Sequence, residues 1–234
     1  MKLYVAAVDK KPPDSQNFKK VKTALQDKVL IAQLGFLQSV ALQLEPFLTK
    51  YQSNKPLLPF MYTDLYTLLR SLMVRFVKAD IMKGVTNATK LMTVEFTKKE
   101  NHVKLHNIDI GFAAASVCKS LTGSEVLKFK EECCTYLQHV CMKLTAKCPL
   151  QYRLVAGASC LDPHVMLNET QSMSRVNTAL EVFVEKKHMK PSVADIVKRE
   201  YADLCKKDSV RSMLETFKPD KDRLDEFLSR VLDL

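Results

Sequence analysis

The sequence lacks tryptophan and is poor in glycine, with only 5 glycines among its 234 residues. Scarce glycine disfavours turn-rich β-barrels and sandwiches, and it disfavours a glycine-rich loop that wraps phosphate. Apolar runs approaching the roughly 20 residues that cross a bilayer are also missing. The opening MKLYVAAVDKKPPD is not typical of a secretory signal, because charged residues follow its short apolar stretch at once.

The chain has 7 cysteines but lacks the common metal-binding and catalytic motifs. It contains no Cys-x-x-Cys pair and no Gly-x-Ser-x-Gly nucleophile motif. An odd number of cysteines in a chain of this length is typical of free thiols in a reducing compartment. We therefore expect a soluble, intracellular protein with no membrane contact and no evident small-molecule substrate.

Charge and apolar content are those of an ordinary globular chain, at 26% charged and 47% hydrophobic residues. The net charge of +10 permits contact with nucleic acid, an acidic partner or an anionic surface. Lysine dominates the basic clusters and few aromatics lie beside them, so a solvated face is the default interpretation. The clusters are Lys10–Lys11, Lys19–Lys20 with Lys22, Lys98–Lys99, Lys186–Lys187 with Lys190, and Lys198–Arg199 with Lys206–Lys207.

Apolar residues recur at helical spacing along most of the chain, which predicts a mainly α fold after a linker at residues 1–17. Pro46 is expected to kink or end the first helix, and Ser124 to cap a long one. Two short strands are also expected, at Tyr152–Val155, with apolar residues continuing to Leu161, and at Thr93–Thr97. The predicted helices are Phe18 to about Leu44, Phe60–Lys83, Gly111–Leu121, Ser124–Lys147, Thr170–Lys187, one starting at Ser192, and Asp220–Leu232.

Cys134, Cys141 and Cys148 are spaced seven apart, which puts them on one stripe of a helix. A zinc site would need four converging ligands, with His139 or Cys133 completing the set. Structural zinc sites usually use close cysteine pairs on turns, so we interpret the stripe as a buried face in which cysteine acts as a small apolar residue.

His102 and His106 have the spacing of two metal ligands on one helix face. Val103 occupies the position where a metalloprotease carries its glutamate, and no third ligand is evident, so solvated side chains are favoured. The other histidines, His139, His164 and His188, lie in no catalytic signature. They are expected to be ordinary surface or core residues.

Asp162 follows the predicted strand, which is a plausible position for a ligand of a two-metal nuclease site. Pro163 comes next, and an aspartate before proline commonly caps a turn or helix. We favour the cap.

Several segments resemble, in order, vertebrate proteins derived from hAT-superfamily transposases. They are LEPFLTKYQSNKPLLPF, DLYTLLRSLMVRFVKADIM, IDIGFAAASVCKSL, VLKFKEECCTYLQ, CPLQYRLVAGASCLDPHVM, PSVADIVKREYADL and DRLDEFLSRVL. The most specific is SCLDPHVM, which is similar to the family's LDPR segment with His164 in place of arginine.

The resemblance implies a helical insertion domain at residues 18–149 and a fragment of an RNase H-like α/β domain at residues 150–234. In that case Tyr152–Pro163 is the strand that returns the chain to the catalytic sheet. Because a strand without partners leaves its backbone unpaired, exposed sheet edges or a partner are also expected.

Active members of the family hold metal with two aspartates before the insertion and a glutamate near the C-terminus, and they use an insertion-domain tryptophan. No residue here matches these positions, so the resemblance implies no catalytic residue, metal or cofactor. It implies a truncated or domesticated, non-catalytic nuclear protein that binds DNA weakly through its lysine-rich surface, binds a protein partner or self-associates. The alternatives are a part of an active transposase with its catalytic residues outside this chain, and an unrelated helical adaptor.

Overall fold

The computed structural model describes residues 15–24 and 26–233 of the chain. These residues form helices joined by short turns, as the sequence pattern predicts. The α-helices are α1 (Gln16–Ala24), α2 (Lys28–Tyr51), α3 (Leu58–Met73), α4 (Ala79–Lys83), α5 (Ala88–Met92), α6 (Phe112–Cys118), α7 (Gly123–Lys147), α8 (Arg153–Ala158), α9 (Pro163–Met166), α10 (Glu169–Glu185), α11 (Pro191–Lys206), α12 (Asp208–Leu214) and α13 (Leu224–Leu232). Single 3₁₀ turns lie at Lys99–Asn101, Leu105–Asn107, Pro149–Gln151 and Ser159–Leu161.

The mainly α prediction is confirmed, and the described residues contain no β-strand. Their only sheet-like pairing is an isolated antiparallel bridge between Val77 and His102. A mainly helical chain satisfies its backbone groups within each segment, so the expected need for partner strands does not arise.

The strand predicted at Tyr152–Val155 is wrong, because Arg153–Ala158 forms helix α8. Gly157 explains the difference: a Cβ built there would lie 2.7 Å from the Ala179 backbone nitrogen of α10. The absent side chain lets the two helices approach closely. A short apolar run with few polar residues is compatible with a strand and with a helix. Packing against α10 selects the helix here.

The strand predicted at Thr93–Thr97 is also wrong. Thr93 caps the C-terminus of α5, and its N–H donates to the carbonyls of Leu91 and Lys90. The next residues form turns in which Phe96 is buried. No neighbouring strand pairs with them, so local turn hydrogen bonds replace a ladder.

Pro46 does not end α2, which continues to Tyr51. Proline removes the hydrogen bond to the carbonyl four residues earlier, that of Leu42. Leu42 and Pro46 are both exposed, so water can satisfy this carbonyl.

The single helix predicted over Phe60–Lys83 is interrupted after Met73. The buried residues Arg75, Phe76 and Val77 turn their backbone toward other segments instead of extending the helix. The Asp109 N–H donates to the Arg75 carbonyl at 3.0 Å, and the Val103 N–H donates to the Phe76 carbonyl at 2.9 Å. Tertiary hydrogen bonds therefore override a continuous helical pattern.

The single helix predicted from Phe18 to about Leu44 is divided into α1 and α2, and Asp27 Oδ1 accepts a hydrogen bond from the Val29 N–H at 2.8 Å at the start of α2. The other predicted helices are present with shifted ends. Helix α7 begins with a capping box at Thr122, whose N–H donates to Glu125 Oε2 at 2.8 Å, and not with a Ser124 cap. Helix α11 begins at Pro191, since proline is well suited to the first helical position. Helix α1 begins at Gln16, within the predicted linker, and Met1–Asp14 lie outside the described residues.

The chain divides into two compact units. Among the described residues, unit 1 comprises 15–24, 26–46, Ser71–Met82 and Glu95–Met142. Its core lies between α2 and α7, where the Phe36 ring meets the edges of Phe129 and Tyr136 at centroid distances of 6.5 and 5.6 Å.

Unit 2 comprises Phe47–Arg70, Lys83–Val94 and, of the described residues, 143–233. Its core is built on aromatic rings, with Phe60 stacked on Phe217 at 5.9 Å and Phe227 meeting Phe217 edge-on at 4.8 Å. Around them pack apolar residues of α10 to α13, including Leu180, Val210, Leu214, Leu224 and Val231.

Candidate functional site

Asp162 caps α9 and ends no strand. Its Oδ1 accepts a hydrogen bond from the His164 N–H at 3.0 Å, which confirms the capping interpretation. The residue is 6% exposed. Burial raises the pKa of the Asp162 carboxyl, and the hydrogen bond from His164 and the charges of His164 and Lys50 oppose the rise.

A second carboxylate of unit 2, Asp64 on α3, is not a candidate site residue by any sequence pattern. Its Oδ2 accepts hydrogen bonds from Lys50 Nζ at 2.6 Å and from the Tyr51 hydroxyl at 2.8 Å. Burial raises the pKa of Tyr51, and Asp64 and Asp162 add to the rise. Lys50 Nζ also lies 4.9 Å from the centre of the Phe60 ring. Each polar group in this cluster therefore has a partner within the protein.

Metal-dependent strand cleavage would need such carboxylates to converge on cations with further ligands. Within residues 15–24 and 26–233, no group of three or more His, Cys, Asp or Glu side chains is arranged to hold a metal ion. Asp162 is engaged in capping, and Asp64 in binding Lys50 and Tyr51. We interpret both as residues that join neighbouring elements of unit 2.

His102 and His106 do not act as a pair. The His102 Nε2 lies 2.8 Å from the Phe96 carbonyl, its Nδ1 lies 3.6 Å from Cys134 Sγ, and its ring meets Phe76 edge-on at 5.4 Å. His106 is exposed in a 3₁₀ turn. The prediction of solvated side chains therefore holds for His106. It is wrong for His102, whose ring contacts both polar atoms and an aromatic side chain of unit 1.

The cysteine stripe is a buried face, as predicted. Cys134, Cys141 and Cys148 are 6%, 0% and 6% exposed, and Cys133 is buried beside them. Burial raises the pKa of Cys141 to about 12, so this thiol stays protonated at neutral pH. His139, the fourth ligand considered, is exposed.

The other histidines lie at the surface. The His164 side chain is 64% exposed, and its ring meets Phe217 edge-on at 6.4 Å. His188 is exposed in the turn after α10.

Arg75 is a buried, hydrogen-bonded residue whose role the sequence did not indicate. It is 4% exposed, and its guanidinium donates to Ser39 Oγ, Gln43 Oε1 and the Asp109 carbonyl at 2.8, 2.9 and 3.2 Å. Burial lowers the Arg75 pKa, opposed by Asp109. The arginine joins α2 to the loop before α6.

A basic turn, residues 186–190, links α10 to α11. It places the exposed side chains of Lys186, Lys187 and Lys190 within five positions, together with exposed His188. None of these lysines forms an ion pair with another residue of the described ranges. The turn is therefore a compact, unneutralised positive surface.

The backbone of this turn is unusual. The His188 N–H donates to the Phe183 carbonyl at 2.8 Å and the Lys187 N–H to the Val184 carbonyl at 2.9 Å, which is a Schellman cap. Lys187 has φ 59, the left-handed conformation that glycine usually supplies at this position. Lys190 is the N-cap of α11, where the helix dipole disfavours positive charge by about 0.3–1 kcal/mol. Lys186 is the C-cap of α10, where the same effect favours positive charge. Local preferences therefore disfavour lysine at positions 187 and 190.

Ion pairs or nearby acidic residues accompany several of the other basic clusters. Lys98 pairs with Glu95 at 2.8 Å, and Lys206 pairs with Glu169 at 3.3 Å. Lys198 lines a groove of about 310 Å³ that also carries Glu181, Glu185 and Asp195. Lys19, Lys20 and Lys22 lie on α1, and Lys10–Lys11 lie outside the described residues.

Among the described residues, no helix is both long and apolar enough to cross a membrane. No protein-family model, curated protein or solved structure matches the chain.

Proposed function

We propose that this chain is a non-catalytic helical protein of hAT-transposase origin that binds the nucleic-acid backbone weakly through the basic turn. The observation that carries the binding proposal is the set of three lysines in residues 186–190, which have no ion-pair partner among the described residues. Two of them, Lys187 and Lys190, occupy positions where local stability disfavours lysine. Positions that break local rules without a structural gain are often functional.

Phosphate is the ligand class that this turn suits. Lysine ammonium groups on a short exposed turn can reach successive phosphates without reading bases. No aromatic residue or arginine lies in residues 186–190, so stacking on bases and bidentate recognition of guanine are not expected. The binding should therefore be independent of sequence, with a dissociation constant of about 1–100 µM at physiological salt. A nuclear location follows from this proposal.

The non-catalytic part of the proposal is supported by the contacts of the candidate residues. Asp162, Asp64, His102 and the cysteine stripe each take part in caps, ion pairs or core packing. The proposed origin is supported by the order of the quoted segments. Helix α8 counts against the returning strand, so the origin concerns the helical insertion and not an RNase H-like fragment.

The experiment is a fluorescence-anisotropy titration of labelled 20-base-pair DNA at about 100 mM salt. The variant Lys186→Gln, Lys187→Gln, Lys190→Gln should bind at least about tenfold more weakly than the wild type. The matched control replaces three exposed lysines of α7 (Lys128, Lys143 and Lys147) by glutamine, with the same change in net charge. Equal weakening by both variants, or no binding by the wild type, would overturn the proposal.

A metal-dependent cleavage assay on the same DNA tests the non-catalytic part separately. We expect no strand cleavage in magnesium or manganese. Cleavage that disappears in Asp162→Asn would instead support the active-transposase alternative.

A further inference from the structure

His188 is the central residue of the basic turn, and its side chain is exposed. The N–H groups of His188 and Met189 both donate to the Phe183 carbonyl, at 2.8 and 3.3 Å. These hydrogen bonds close the C-terminus of α10 and fix the backbone of the turn. The residue is therefore held within two positions, along the chain, of three exposed lysines.

The basic turn itself contains no carboxylate that could pair with this imidazole. Residues 186–194 include no aspartate or glutamate. Glu185, which precedes the turn, accepts two hydrogen bonds from Arg153, at 2.8 and 2.9 Å. Among the described residues, His188 forms no ion pair. A proton on His188 therefore has no anionic partner in the free protein.

The helices on either side of the turn carry charges of both signs. The charged residues in the last two turns of α10 and the first two turns of α11, with the α8 arginine that pairs with the former, are Glu181, Glu185, Asp195, Lys198 and Arg153. Arg153 binds both glutamates, and Asp195 lines a groove together with Lys198. The charges closest to His188 along the chain are consequently those of the three lysines.

His164 provides a contrast within unit 2. Its Nδ1 lies 3.4 Å from Asp162 Oδ1, so a carboxylate of the protein itself faces the charged form of this ring. Protonation of His164 therefore strengthens a contact inside the protein. Protonation of His188 instead adds a positive charge to a surface that is already positive, where an external anion can balance it.

Phosphate is the anion that the proposed function supplies at this surface. Histidine is the side chain whose charge normally changes between pH 5 and 8, and a nearby anion favours its charged form. We propose that protonation of His188 adds a phosphate contact to the basic turn and makes DNA binding tighter at acidic pH. This inference rests on the DNA binding proposed above and concerns the regulation of that same surface.

The size of the effect follows from counterion release. One further neutralised phosphate steepens the slope of log affinity against log salt concentration by about 0.9. At about 100 mM salt this corresponds to a gain in affinity of up to about eightfold, and we expect at least about threefold between pH 7.5 and 5.5.

The test is a fluorescence-anisotropy titration of labelled 20-base-pair DNA with the full chain, at about pH 5.5 and 7.5 and at several salt concentrations. His188→Gln should bind like the wild type at pH 7.5 and lose most of the gain at pH 5.5. His188→Lys should bind more tightly than the wild type at pH 7.5 and change little with pH, because its charge is permanent in this range. The matched control is His139→Gln, an exposed histidine of α7, which should keep the full gain.

Two further measurements make the outcome decisive. Circular dichroism at both pH values establishes that each variant keeps the helical fold. Calorimetric titration near pH 6.5, in two buffers with different enthalpies of ionisation, should show uptake of a proton when DNA binds the wild type and less uptake with His188→Gln.

The two proposals fail in different ways. A wild type that binds no DNA at either pH overturns both. A wild type that binds DNA with the same pH dependence as His188→Gln, or a His139→Gln control that loses the gain equally, overturns the role of His188 and leaves binding by the lysines standing.

Discussion

Asp162 illustrates how burial and capping oppose each other at one residue. The carboxylate satisfies an N–H at the start of α9, and removing a capping side chain typically costs about 1 kcal/mol. The same burial raises its pKa, so the charged form is less favourable in the folded protein than in the unfolded chain. The folded state consequently binds the proton more tightly, and the penalty is relieved as the pH falls through the folded pKa.

Two substitutions at Asp162 separate these effects. Asp162→Asn keeps an acceptor for the cap and removes the buried charge, so at pH 7 its unfolding free energy should equal or exceed that of the wild type. This difference should shrink as the pH is lowered toward about 4. Asp162→Ala removes the same charge and the cap acceptor as well, so it should be about 1 kcal/mol less stable than Asp162→Asn at both pH values. Urea unfolding measures all three proteins, and an Asn variant as unstable as the Ala variant would show that the charge itself stabilises the fold.

A substitution at Lys187 should affect the stability of the fold and the affinity for DNA in different ways. A non-glycine residue in the left-handed region costs on the order of 1 kcal/mol, so Lys187→Gly should leave stability unchanged or raise it by up to about that amount. The same substitution removes one lysine of the basic turn and should weaken DNA binding severalfold. Parallel thermal unfolding and anisotropy measurements check this. A variant that is less stable than the wild type, or that binds DNA equally well, contradicts the role assigned to this residue.

At the scale of elements, the sequence predicts what depends on local pattern and misses what depends on distant contacts. The cysteine stripe of α7 was predictable, because seven-residue spacing puts the side chains on one face of any helix. Helix α8 was not, since the decisive contact is between Gly157 and Ala179, and a short apolar run does not reveal its partner. Nor does the sequence identify the three acceptors that surround Arg75 or bring Tyr51 to Asp64, because these residues meet only after the helices pack.

The packing of α8 on α10 gives a direct prediction. Gly157→Ala places a Cβ within 3 Å of three Ala179 atoms, which are backbone or the rigid Cβ, so the helices must separate. We expect a loss of roughly 1–3 kcal/mol of unfolding free energy. Gly123→Ala is the control, because nothing lies within 4 Å of its added Cβ, and it should be neutral or stabilising by up to about 1 kcal/mol. Equal effects in denaturant titrations would contradict the close contact.

At the scale of the whole molecule, charge is unevenly distributed along the chain. Residues 29–44 carry none, whereas residues 186–190 carry three lysines without acidic residues among them. The second segment suits contact with phosphate. A net charge of +10 by itself attracts nucleic acid to the whole protein surface. The positions of the lysines therefore decide whether one surface does most of the binding.

The salt dependence of DNA affinity tests this localisation most directly. Each phosphate neutralised by a lysine contributes about −0.9 to the slope of log affinity against log salt concentration. Replacing Lys186, Lys187 and Lys190 by glutamine should make the slope shallower by about 2 to 3 between 50 and 200 mM salt, whereas the three α7 substitutions should change it by less than about 1. An unchanged slope in the basic-turn variant would contradict the claim that this turn contacts the nucleic-acid backbone.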